Sequence, residues 1–81
     1  MSCLDKLSYL LECSRHGTMR PAADHLNLAT SSVSRQIAAL EKEFGIPLIE
    51  RGRRDIRLTE AGETAIKSYL RHKEVEASLL E

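Results

Sequence analysis

Apolar residues along this chain recur every three or four positions in separate blocks, and most blocks end at a residue that stops a helix. Leu4, Leu7, Leu10 and Leu11 form the first stripe, with Asp5, Lys6 and Glu12 off it. That spacing predicts a helix over 3–15. Gly17 ends it, and Arg15 and His16 fall in the last turn, where cations complement the helix dipole. Thr18 stands where it can cap a second helix, and Pro21 falls in the first turn of that helix, where a missing N–H costs nothing. Ala22, Ala23 and Leu26 give it a narrow apolar face that a neighbour can approach closely. It ends near His25–Leu26, and Asn27 suits a left-handed turn position.

A third helix is predicted from Thr30 to Phe44. At about 100° per residue, Val33, Ile37, Leu40 and Phe44 fall within a ~60° arc and are assigned to the core. Ser31, Arg35, Ala38 and Lys42 lie on the opposite side, with Ser34 on the flank. Gly45 terminates the helix and Pro47 forbids its resumption. Two short runs, 47–51 and 55–58, flank Gly52-Arg53-Arg54 and are predicted as the strands of a small hairpin. Thr59 then caps a long last helix, with Glu60 and Glu63 near its positive end. Ile66, Leu70, Ala77 and Leu80 follow near-heptad spacing, with Tyr69 beside them and Lys73 interrupting. There is no internal repeat and no low-complexity segment.

This order (helix, helix, helix, hairpin, helix) is that of a mostly α, winged helix-turn-helix fold. The helix-turn-helix falls at about 19–38 and the wing at about 47–58. A domain over 1–59 is followed by a linker or dimerisation helix over 60–81. With 81 residues the chain has room for one small core. No Trp, one Phe and two Tyr make that core aliphatic.

Lys plus Arg and Asp plus Glu both number 12, so the net charge of +0 gives no global attraction to nucleic acid. Distribution has to do the work instead. The run RGRRDIR from Arg51 to Arg57 holds four arginines and one aspartate, whereas Glu74, Glu76 and Glu81 lie near the end. Cys3 and Cys13, if both lie on the first helix, stand ~15 Å apart, beyond the reach of a disulfide. They read as small hydrophobes in a reducing cytosol. Two cysteines with no neighbouring histidine pair offer no four-ligand zinc site, and neither a metal nor a cofactor is expected.

The start of the chain carries Asp and Lys within an amphipathic stretch and does not read as a signal peptide. No segment approaches the length of a membrane span. A cytoplasmic location follows. Nor is a catalytic constellation present. Asp24 and His25 are adjacent, so their side chains point about 100° apart on a helix. No Gly-rich phosphate loop occurs, and the chain reads as a non-enzyme.

The sequence AADHLNLATSSVSRQIAALEKEFGIPLIER followed by RLTEAG resembles the amino-terminal domain of LysR-type transcriptional regulators. The matching elements are Ala22-Ala23-Leu26, Val33-Ser34-Ile37-Leu40-Glu41, Gly45-Leu48-Arg51 and Leu58-Thr59-Gly62. Two departures stand out. Ala29, Thr30 and Ser31 replace the family's frequent Ser, Gln and Pro, and Met19 replaces a commoner Phe. The resemblance implies a bacterial, sequence-specific DNA-binding regulator acting as a homodimer through its last helix. It also implies a small-molecule effector bound by a further domain that these residues do not include.

In helix-turn-helix proteins the second helix of the motif enters the major groove with its first turns near base edges. That assigns Thr30, Ser31, Ser34 and Arg35 to DNA. Arg35 can pair with guanine O6 and N7 or hold a phosphate. Two roles compete for Thr30, a base contact and the helix cap that Ala29 cannot supply. Arg53 and Arg54, at the hairpin tip, are assigned to the backbone or the adjacent minor groove. Arg51 is given a structural or phosphate-facing role, and His25 a surface one. Ile66, Tyr69, Leu70, Ala77 and Leu80 are assigned to the dimer stripe. The competing reading is a winged helix used for protein interaction or dimerisation without DNA, which zero net charge keeps open.

Overall fold

α1 (Cys3–His16), α2 (Met19–Leu26), α3 (Thr30–Phe44) and α4 (Glu60–Leu80) succeed one another in the computed structural model. The structure describes the backbone of residues 3–52 and 54–80 and the side chains of 6–52 and 54–80. On α1, Leu7, Leu10 and Cys13 point inward at helical spacing. Burial, with the Glu12 carboxylate adding to it, pushes the Cys13 thiol up to about 11, so it stays protonated and acts as a small hydrophobe. The side chains of Cys3 and Leu4 lie outside the described residues. Lys6 departs from the sequence reading: its stem is buried, and Nζ reaches Glu43 at the end of α3 at 2.6 Å.

The helix ends follow local chemistry. Gly17 (φ 78°) donates its N–H to the Cys13 carbonyl and closes α1. Thr18 occupies the N-cap of α2 in an extended conformation, but its side chain makes no capping bond. Asn27 stands at φ 58°. Its N–H meets the Asp24 carbonyl at 3.1 Å, and the Leu28 N–H meets that of Ala23 at 2.9 Å, a Schellman closure. Residues 27–29 are the turn of the helix-turn-helix, and the buried Ala22 and Ala23 let α2 lie close to its neighbours.

α3 runs over the residues the pattern predicts, with Val33, Ile37 and Leu40 buried. Two readings need correction. The N-cap is Ala29, with no side-chain cap, so Thr30 is the first helical residue and does not cap the helix. Phe44 has the right angle for the core but is 43% exposed. It borders a surface hollow with Ala61 and Ala65, whose small side chains leave it uncovered.

The chain leaves α3 at Gly45 (φ 69°), whose N–H bonds to the Glu41 carbonyl at 2.8 Å. Glu41 itself turns inward and is 8% exposed. Its Oε2 accepts the N–H groups of Leu48 at 2.7 Å and Ile49 at 3.3 Å, and its Oε1 accepts from Arg51 Nη2. A carboxylate this buried is tolerable because those donors replace its water.

The expected hairpin strands do not form among the described residues. A single antiparallel bridge joins Ile49 and Leu58, closed by Glu50 N–H to Arg57 O at 2.8 Å and Thr59 N–H to Leu48 O at 3.0 Å. One reason lies in where the Leu48 N–H goes. In this register it faces the other arm, and Glu41 takes it at 2.7 Å; the Ile49 and Ile56 N–H groups point away from the ladder and bond Glu41 and, at 2.6 Å, the Gly17 carbonyl. The two arms are therefore tied to α3 and to Gly17, just past α1, as well as to each other.

Thr59 caps α4 as predicted. Its Oγ1 accepts the Gly62 N–H at 3.1 Å and donates to the Pro47 carbonyl at 2.7 Å. Gly62 lies over the Leu48 backbone so closely that a Cβ there would run into the Leu48 carbonyl oxygen and stand 3.3 Å from Leu58 Cβ. Ile66, one turn on, is buried, so the first part of α4 belongs to the same core as α1–α3. The remainder extends beyond it, and Leu70, Val75, Leu79 and Leu80 are exposed.

These contacts make two stability tests. Glu41→Ala removes the acceptor for two backbone N–H groups and should cost about 1.5–3 kcal/mol in urea unfolding. Gly62→Ala should cost about 1–3 kcal/mol by overpacking. A loss below ~0.5 kcal/mol, the range of ordinary surface changes, would refute either assignment.

Candidate nucleic-acid interface

The outward face of α3 follows from its inward one. With Val33, Ile37 and Leu40 fixed in the core, Thr30, Ser31, Ser34, Arg35, Ala38 and Lys42 are all exposed. Ser32 is half-buried at the turn, and its Oγ lies 3.4 Å from Arg35 Nη2. The side chains of the first turns are short, so the helix axis can come close to an opposing surface. Arg35 is the long exception.

Charge on α3 is sorted by side. Of its acidic residues, Glu41 is buried and bonded, and Glu43 is paired with Lys6. Among the described residues no carboxylate lies within ion-pair distance of Arg35, Lys42 or Arg54. The face is therefore locally cationic although the chain is neutral as a whole. Local sign, not net charge, governs a contact within about one Debye length, roughly 8–10 Å.

The loop arginines differ from one another. Arg51 is held by Glu41 while most of its side chain remains exposed. Arg57 bonds Asp55 at 3.0 Å, and that bond holds the guanidinium proton more firmly than usual. Arg54 is exposed. Arg53 lies outside the described residues.

The residues assigned to the last-helix stripe separate in the same way. Ile66 is buried in this chain's own core, and Tyr69 packs half-buried against it. Leu70 is 44% exposed, Leu80 is 82% exposed, and Ala77 is exposed as well. Sequence reasoning missed Glu41 as an internal anchor. Its place in the Leu40-Glu41 motif, next to a core leucine, was the available signal. A second omission is a cluster of Glu12, His16 and His25 between α1 and α2.

No helix among the described residues is long and apolar enough to cross a membrane. Residues 4–63 match the family described as bacterial regulatory helix-turn-helix protein, lysR family. The probable cat1 operon transcriptional activator of Acinetobacter lwoffii is 37% identical over 79 residues, covering 93% of this chain and 26% of that protein. The probable RuBisCO transcriptional regulator of Synechocystis is 42% identical over 59 residues, covering 73% of this chain and 17% of that protein. The chain thus spans about a quarter or less of these relatives. Among solved structures, the complex of the BenM DBD with catB site 1 DNA superposes with a TM-score of 0.89 at 31% identity. That match covers 99% of this chain and 85% of the other. A match to most of its length, on the motifs that build its turn, caps and core, makes this chain a member of the lysR family of bacterial regulatory helix-turn-helix proteins.

Proposed function

We propose that this chain is the DNA-binding part of a LysR-type transcription regulator that reads duplex DNA as a homodimer and has no catalytic role. One observation carries the reading: α3 presents short hydroxyls and an arginine with no ion-pair partner among the described residues, with its acidic residues buried or paired. Such a surface suits the major groove, where small side chains permit close approach and arginine pairs with guanine. Thr30, Ser31, Ser34 and Arg35 make these contacts. Thr30 is available for one because it does not cap its helix. The likeness to a DNA complex of a related domain supports the same orientation.

The loop over 47–58 serves as the wing, with Arg53 and Arg54 at the backbone or minor groove. α4 supplies the dimer. The face that Ile66 turns into the core continues through Leu70, Ala77 and Leu80 past the end of the domain body. An apolar stripe that outlasts its own core is suited to pairing with a second copy.

Anisotropy titration against random duplex at low salt tests the central reading. Micromolar binding that weakens steeply with salt is expected, at about 0.9 in log–log slope per phosphate contact. Absence of binding by the dimer would favour a protein-interaction module instead. Arg35→Ala should cost ~1–3 kcal/mol and relax preference at one base position. A uniform loss across all sequences would reassign Arg35 to a phosphate. For the dimer, Leu80→Glu should shift sedimentation toward monomer mass. Wild-type chain that sediments as a monomer at every concentration would refute the pairing.

A further inference from the structure

Glu12, His16 and His25 come together where the last turns of α1 and α2 meet, and neither the core nor the reading face uses them. We propose that these three side chains bind a divalent transition-metal ion of the zinc type, with the fourth position left to water. This is independent of DNA binding.

The geometry supports it on several counts. Glu12 and His16 are four residues apart on one helix, so their side chains share a face. His25 arrives from the other helix. Its Nε2 and that of His16 both stand 3.6 Å from the same carboxylate oxygen, Glu12 Oε2. All three ligand atoms lie within 4.8 Å of one another. At 3.6 Å neither imidazole is hydrogen-bonded to the carboxylate. Ligands of a tetrahedral zinc with bonds of ~2.0–2.2 Å, however, are separated by roughly 3.3–3.6 Å. The rings are tilted by 44° with centroids 5.6 Å apart, so they are not stacked and their nitrogens can turn toward one point.

The surroundings suit an ion as well. Arg15 Nη1 lies 3.4 Å from Glu12 Oε1, which engages the other carboxylate oxygen and leaves Oε2 directed at the histidines. Such outer partners commonly orient metal ligands. The Glu12 side chain is only 16% exposed, whereas His16 and His25 are 34% and 62% exposed, so the site is open to entry from solvent. Two imidazoles and a carboxylate with one open position match known zinc chemistry, and neutral His and ionised Glu are the binding forms. Because the ligands come from two helices, the site exists only when α2 is docked on α1. An ion there fastens the first helix of the helix-turn-helix to the body of the domain and stabilises the folded chain by mass action.

Calorimetric titration of Zn²⁺ into chelator-treated chain, with visible spectra of the Co²⁺ form, tests the site. Wild type is expected to bind a single ion, with a four-coordinate Co²⁺ spectrum and a raised Tm. His16→Asn, His25→Asn and Glu12→Gln should each weaken binding by more than about tenfold, the lower end of what losing even an outer partner causes. His72→Asn, which removes the separate His72–Glu76 pair on α4, should leave it unchanged. No saturable binding would overturn the proposal, as would equal binding by wild type and the cluster variants. If Glu12→Gln fails to fold by circular dichroism, the two histidine variants and the Co²⁺ spectrum decide.

Discussion

One carboxylate organises the second half of this domain. Glu41 lies on the buried side of α3, where an uncompensated charge would cost several kcal/mol, and it is compensated by two backbone N–H groups and the Arg51 guanidinium. In doing so it fixes Leu48. The Leu48 carbonyl then accepts the Thr59 N–H, and Gly62 comes down on the same peptide. The direction in which α4 starts is therefore set from α3 through a single loop residue. Low polarity around the carboxylate strengthens each of these bonds.

The same helix shows how a neutral chain acquires a polarised surface. Its acidic side chains are drawn inward or into a pair with Lys6, and its basic ones remain outside. At close range, attraction of a polyanion depends on such local fields more than on the total charge.

Local signals made much of the fold legible in the sequence. α3 occupies the predicted residues because Val33, Ile37 and Leu40 set its period and Gly45 stops it. Asn27 and Thr59 announce helix ends through their own side-chain and backbone preferences. What escaped depends on tertiary partners. Phe44 points the right way on a helical wheel, but the wheel does not say that an open hollow, bordered by Ala61 and Ala65, lies beside it. The hairpin pattern was visible, whereas the capture of the Leu48 N–H by Glu41 was not. Likewise Lys6 reads as solvent-facing until the end of α3 lies beside it. For the candidate interface, exposure of Thr30, Ser31, Ser34 and Arg35 followed once the core face was known. The meeting of His25 with Glu12 had no sequence signal, because docking of α2 on α1 creates it.

α4 is part of the core at Gly62 and Ile66, rests on it through Tyr69 and is exposed beyond, with no break between. It therefore works as a rigid lever whose phase is locked to the body of the domain. Inserting one residue after Leu70 would leave the core and α3 untouched. It would also turn every later side chain by about 100° and advance it by ~1.5 Å. The separation and relative rotation of two α3 helices in a pair joined through α4 would thus be an arithmetic property of helix length. Evolution can retune such spacing by insertion or deletion in α4 without altering a residue of the reading face.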